Sequence, residues 1–219
     1  MTLSYQILKD RQRDEREHYP RNLGLRVHRA LSWLNRAEQC EDDLDAEFIF
    51  LWIAYNAAYA NEIDDHRRFT EQDTFQNFMN RLCEMDSQQK IDGLIWSEFA
   101  GSIRVLLDNK FVFQPFWDFQ NKKLTENEWQ TKFHDAKHCA NKALGNKNTG
   151  KVLAVVFSRL YTLRNQLLHG GATWNSAVNR EQMRDAVNFL KKLIPMIIEI
   201  MMDNHNAFWG EACYPVVEA

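Results

Sequence analysis

An arginine and a histidine five residues apart, Arg164 and His169, stand in the stretch LRNQLLHGG from Leu163 to Gly171. Side chains of these two types are nearly enough to cut RNA without a metal. A base takes the 2′-hydroxyl proton, an acid protonates the departing 5′-oxygen, and a cation steadies the extra negative charge on phosphorus in between. Histidine titrates near neutrality and can serve as acid or base, while arginine offers a planar fork of donors matched to phosphate oxygens. On an α-helix five residues amount to a rotation of about 140°, so Arg164 has to reach round to meet His169. Asn165 and His169, at i and i+4, share a face, and the asparagine can hold the imidazole in position.

The spacing resembles the RNxxxH form of the Arg-x4-6-His motif that marks the HEPN superfamily, a group of helical-bundle nucleases and nucleotide-binding proteins. The run WIAYNAAY, Trp52 to Tyr59, is similar to the aromatic, Asn-bearing helix of some branches. Three further pairs fit the bare pattern: Arg11 with His18, Arg13 with His18, and Arg21 with His28. The first two enclose Asp14, Glu15 and Glu17, which repel a phosphate. Arg21 is followed by Asn22 and is the serious competitor. Arg164 is preferred because its helix ends at the histidine with a glycine pair and because no acid lies near it in sequence. The resemblance implies that two chains pair so that both copies of the motif line one cleft, and a twofold axis would then bring two His and two Arg to one phosphate. Some HEPN toxins carry a tyrosine two positions after the histidine that a nucleotidyltransferase antitoxin modifies; that position is Gly171 here, so this route of regulation is not expected.

From Ala136 to Arg180 there is no Asp or Glu, yet Lys137, Lys142, Lys147, Lys151, Arg159, Arg164 and Arg180 fall inside. The formal net charge of −3 gives no global attraction to nucleic acid, so any phosphate contact has to come from this segment, unless acids of neighbouring helices neutralise it. Lys147, Lys151 and Arg159 are the expected RNA contacts. Trp174, just after the motif, is the aromatic expected to stack on a base, since most of the others sit at core spacing. In HDAKHC, His134 and His138 stand at i and i+4 with Cys139 adjacent, a spacing able to hold a transition metal. No Glu follows His134 in the HExxH manner and no distant ligand is evident, so an exposed polar face is expected and no metal or other cofactor is required. Cys40, Cys83, Cys139 and Cys213 are scattered without a CxxC pair, which suggests reduced thiols rather than a disulfide scaffold. The phosphate loop G-x-x-x-x-G-K-[ST] and the nucleophile elbow G-x-S-x-G are both missing from the sequence, which leaves P-loop NTPase and α/β-hydrolase readings without support.

The elements that must position these residues read as helices. Glycine and proline are scarce, at 8 and 4 in 219 residues, and 45% of the chain is apolar, enough for one sizeable core. Pro20 opens a helix to about Gln39 with Leu23, Val27, Leu31 and Leu34 on one face. Asp42, Asp43 and Asp45 open a second to about Glu62, with Phe48, Leu51, Trp52, Tyr55 and Tyr59 on one side. Thr149 caps a third, with apolar positions from Leu153 to Leu167, ended by Gly170 and Gly171; Ser176 starts the fourth, which Pro195 bends. Between the second and third, Thr70 and Glu71 open a helix, Gln88 to Leu107 forms another, and Thr125 with Glu128 forms a capping box for a helix to about Leu144. Phe111 to Phe119, FVFQPFWDF, is dense in aromatics around a proline and reads as an irregular plug.

The expected protein is therefore a single all-α domain. It has an antiparallel four-helix bundle, a charged N-terminal arm over residues 1–19, and a helical insertion over 63–145. Met1 to Asp14 lacks the apolar core of a signal peptide, and the longest apolar stretches, Phe48 to Ala60 and Leu193 to Met202, are too short for a membrane span, so a cytoplasmic protein is expected. The expected activity is metal-independent cleavage of RNA by Arg164, Asn165 and His169, in a homodimer. By resemblance its setting is a toxin or an anti-phage defence system, with an antitoxin or regulator as a further partner. The alternative is a non-catalytic helical module that binds nucleotide, RNA or a protein in the same groove.

Overall fold

The computed structural model describes residues 3–40, 42–60 and 71–214. Every regular element among them is a helix. In chain order these are α1 (Tyr5–Glu15), α2 (Arg21–Glu38), α3 (Leu44–Tyr59), α4 (Glu71–Met85), α5 (Lys90–Gly93), α6 (Ala100–Asp108), α7 (Gln114–Gln120), α8 (Glu126–Gly145), α9 (Thr149–Leu168) and α10 (Arg180–Asp203). None is long and apolar enough to cross a membrane.

The core is a layer of helices sorted by apolar spacing. α2 buries Leu23, Val27, Ala30, Leu31 and Leu34, a three-and-four repeat that makes one face of a 3.6-residue helix. That face packs along α3, and both pack against α10. α3 is apolar nearly all round because it is covered on two sides, by α2 and α10. α9 touches α3 but lies chiefly against α4, α8 and α6. α1 is more than an arm: Leu8 is sealed against the core, and Arg11 reaches Asp203 at the end of α10, 2.7 Å away.

Several local expectations are corrected. Pro20 is the cap residue of α2, with extended ψ, and not its first helical residue. The single helix expected over 88–107 is broken into α5, a π turn over Leu94–Glu98, and α6, with Phe99 at the joint. The wide turn accompanies a hydrogen bond from the Trp96 indole to the Thr149 hydroxyl, 3.1 Å, which also donates to Asp92. Thr149 is thereby used across helices, and Asn148 caps α9 instead, accepting from the Lys151 N–H at 3.0 Å. The aromatic stretch is not irregular: a 3₁₀ turn over Lys110–Val112 leads into α7, where Pro115 stands in the first turn and loses no intrahelical bond. α10 starts at Arg180, not Ser176, after Asn179 in the left-handed region at φ 59°. The capping box of Thr125 and Glu128 is present as read, with both reciprocal bonds formed. The expected end of the second helix at Glu62 and the opening at Thr70 lie outside the described residues.

Candidate functional site

α9 carries the motif, and its own sequence fixes where the motif sits. Leu153, Val156, Phe157, Leu160 and Leu163 are buried along one side, which leaves the far side of the last two turns outward. Measured round the helix from Tyr161 at 100° per residue, Arg164 stands at about −60°, Leu168 at −20°, Asn165 at +40° and His169 at +80°. Arg164 and His169 therefore flank one strip, with Tyr161, Leu168 and Asn165 between them. Tyr161 and Leu168 are 42% and 50% exposed, so this strip meets solvent. The helix stops where the motif does. His169 is its cap residue, Gly170 takes φ +70°, and the N–H groups of Gly170 and Ala172 close back on the carbonyls of Leu167 and Gln166.

Within the strip Arg164 is half-buried. Its Nη1 donates to the Asn165 side-chain oxygen at 2.8 Å, its guanidinium carbon lies 5.6 Å from the centre of the Tyr161 ring, and its Nε is buried with no hydrogen-bond partner among the described residues. Asn165 is thus turned to Arg164 by its side chain, and only its backbone carbonyl serves His169, accepting the His169 N–H at 3.0 Å. His169 is exposed, and its ring has no hydrogen bond or ion pair among the described residues. Among the described residues no carboxylate pairs with Arg164, Asn165 or His169. A positioned guanidinium, an amide that holds it and an open imidazole are groups able to bind an oxyanion and move a proton.

The other expected contacts are spread out. Lys147 and Lys151 are exposed at the opposite end of α9, and by helical rise Lys151 is about 27 Å from His169. They can meet a phosphate, but not the one at His169. Arg159 is only 2% exposed: its guanidinium carbon lies 4.2 Å from the centre of the Phe113 ring and 5.7 Å from that of Phe133, and Nε and Nη2 have no hydrogen-bond partner among the described residues. Burial pushes its pKa down to about 10. As placed, Arg159 offers nothing to solvent. Trp174 is 73% exposed, and its indole N–H donates to Asp43 at 2.9 Å, which leaves the ring faces open. The carboxylate-free stretch is partly neutralised from outside: Lys137 meets Asp108 at 2.7 Å, and Arg180 grips Asp45 with two nitrogens at 3.1 Å each.

Of the competing pairs, Arg11 is bound to Glu15 and Asp203, and Arg13 to Asp10. Arg21 opens α2 and His28 stands two turns on, both exposed on the far side of the chain's sequence from the α9 motif. His134 and His138 are exposed on α8, and no group of three or more His, Cys, Asp or Glu side chains among the described residues is arranged to hold a metal ion.

Sequence reasoning missed a cavity beside the motif. It has a volume of about 290 Å³ and lies between the end of α9, the following loop, the start of α10 and α7, with Leu163, Gln166, Leu167 and Met183 among its walls. Its only early signal was the run of turn-forming residues from Gly170 to Asn179, which reads as a loop but not as a wall. Comparison with models of known families, with curated proteins and with solved structures finds no match.

Proposed function

We propose that this protein is a metal-independent endoribonuclease of the HEPN type, built as an antiparallel four-helix bundle of α2, α3, α9 and α10, with residues 63–145 as an insertion. The observation that carries the reading is the outward strip at the end of α9. There, among the described residues, a hydrogen-bonded Arg164–Asn165 pair and an unpaired imidazole stand free of any carboxylate. Arg164 binds the scissile phosphate, Asn165 orients the guanidinium, and His169 transfers the proton. The 2′-oxygen attacks phosphorus, the bond to the 5′-oxygen breaks, and the products end in a 2′,3′-cyclic phosphate and a 5′-hydroxyl. A proton leaves the 2′-hydroxyl and another reaches the 5′-oxygen, so one histidine per phosphate is short by one group. A second copy of the chain supplies it, with the exposed Tyr161 and Leu168 as the apolar part of the contact. Lys147, Lys151 and Trp174 serve RNA further from the cut; Arg159 joins them only if Phe113 and Phe133 move aside. A cytoplasmic toxin or defence effector held by an antitoxin or regulator is the setting that fits an enzyme of this kind.

The second reading, a module that binds RNA, nucleotide or protein without turnover, is favoured by the apolar exposure of Leu168, Trp174 and Val178 beside the motif. The test is cleavage of a mixed RNA pool in EDTA by the wild type and by His169→Ala. The enzyme reading expects activity in the wild type and a loss of at least about 10²-fold in the variant. An intact pool in both selects the binding module.

A further inference from the structure

α3 has a third side that its neighbours leave partly open. Measured round the helix from Ile53 at 100° per residue, Ile49, Phe50, Asn56 and Ala57 all fall within about 60°. These five are half-buried, whereas Leu51, Trp52, Ala54 and Tyr55, on the sides turned to α2, α10 and α9, are buried. From Phe48 to Ala60 the helix has no charged residue at all. A helix side that meets water ordinarily carries polar and charged groups, and Asn56 alone meets that description here.

α9 lies beside this face and continues it. It runs antiparallel to α3, because Tyr55 meets Phe157 with ring centres 4.4 Å apart while Trp52, three residues earlier, meets Tyr161 at 6.1 Å. Ile53, next to Trp52, therefore stands nearly level with Tyr161. Upstream of the motif the outward strip of α9 goes on through Ser158 and Ala154, at about +60° and +20° from Tyr161. Arg159 is the one charged residue between Val152 and Leu163, and it is buried.

We infer that this uncharged double face is where two copies of the chain meet, with α3 of each laid on α9 of the other. A second copy is the occupant because the two halves of the face complement one another. α3 is bulky at Ile49, Phe50 and Ile53, and α9 is small at Ala154 and Ser158, so the ridges of one helix enter the grooves of the other. A face without charge also offers no means of choosing an acidic or a basic partner. Its extent suffices for association. About 20 Å of helix, two helices wide, covers roughly 400 Å² in plan and more with the relief of the side chains, against about 800 Å² a side for a standard interface. This size fits a weak dimer.

The direction of the twofold axis rests on the ribonuclease reading, but the surface itself does not. Leu168 lies about 10 Å beyond Tyr161 along α9, so an axis across the helices at the middle of the face would hold the two motifs about 20 Å apart. An axis along the helices keeps both motifs at one end. They then stand on diagonal neighbours of a four-helix packing, about 13 Å apart from axis to axis, and side chains as long as arginine and histidine reach one phosphate between them.

The test is sedimentation of the full chain over a range of concentrations, beside disulfide trapping. Ser158 is exposed, so a charge there burdens the contact and not the monomer. The wild type should associate, and Ser158→Glu should raise the dissociation constant at least about tenfold with the melting temperature of the monomer unchanged. Chains carrying Ile53→Cys and Ser158→Cys, mixed under mild oxidation, should form a linked pair that neither chain forms alone and that the wild type, with its own four cysteines, does not form. A wild type that stays monomeric, a Ser158→Glu chain that associates as before, or Ile53→Cys linked to itself overturns the inference. A pair trapped as expected by a protein that leaves RNA intact upholds the surface and removes the ribonuclease reading. RNA cleavage by a chain that is monomeric throughout does the reverse.

Discussion

At the scale of single residues the least comfortable group is Arg159. Its charge is buried among Phe113 and Phe133 with two nitrogens unbonded. Ring contacts return up to about 2 kcal/mol each when desolvated, whereas taking an unpaired charge out of water costs several. Arg159→Met keeps most of the volume and removes the charge, so its stability to urea should be unchanged or raised by about 1 kcal/mol. A loss above roughly 2 kcal/mol would show that the two rings outweigh the desolvation. The sequence displayed Arg159 as one more cation in a stretch without acids, which is why it read as an RNA contact. That its cover comes from Phe113 and Phe133, in elements 20 to 50 positions upstream, is information about packing that local spacing does not carry. Arg164 and His169 were legible for the opposite reason: their helix ends on its own glycine signal, so their place depends on local rules.

Among the elements, the start of α3 shows how a cap can join two parts of the site. The Asp43 carboxylate accepts the N–H groups of Asp45 and Ala46 at 3.1 and 3.0 Å and also the Trp174 indole. The Ala46 bond foremost, then the indole and the Asp45 bond, hold its pKa below the ordinary carboxylate value. A depressed folded pKa means that the ionised cap stabilises fully above about pH 4 and is lost as pH falls through the folded value. Asp43→Ala should cost about 1 kcal/mol at neutral pH, and Asp43→Asn, which keeps an acceptor, much less. Thermal melts at pH 7 and pH 3 check this: the gap between wild type and Asp43→Ala should narrow at the lower pH. Caps of this kind, and the box of Thr125 and Glu128, were readable because they are rules about neighbours three residues apart. The break between α5 and α6 and the helix α7 were not. Trp96 and Thr149 meet across 53 positions, and the aromatic run folds as a helix because Pro115 falls in its first turn, where a proline costs nothing.

For the whole molecule, helical class was plain from the scarcity of glycine and proline and from the apolar repeats of α2, α9 and α10. The partners of each helix were not, since an amphipathic face states that it is covered but not by what. α9 leans on α4, α8 and α6, so the region between the second and third long helices is part of what holds the motif in place. In the proposed dimer its outward strip is the surface that meets the second chain. Leu168→Glu should shift the association equilibrium towards monomer by at least about tenfold, read by sedimentation, while the melting temperature of the monomer holds, because Leu168 is half exposed and buries little within its own chain. A monomer at all concentrations in the wild type would leave His169 without a second proton-transfer group.

The claim on which the account turns is that Arg164 and His169 act on an RNA phosphate through its own 2′-hydroxyl. An RNA oligonucleotide that the wild type cuts in EDTA, and the same strand with a single 2′-deoxy sugar at the cut, provide the direct measurement. The first should yield a 2′,3′-cyclic phosphate, the second should stay uncut at that position, and neither Arg164→Ala nor His169→Ala should form product. Cleavage at the deoxy position, or undiminished cleavage by either variant, would contradict it.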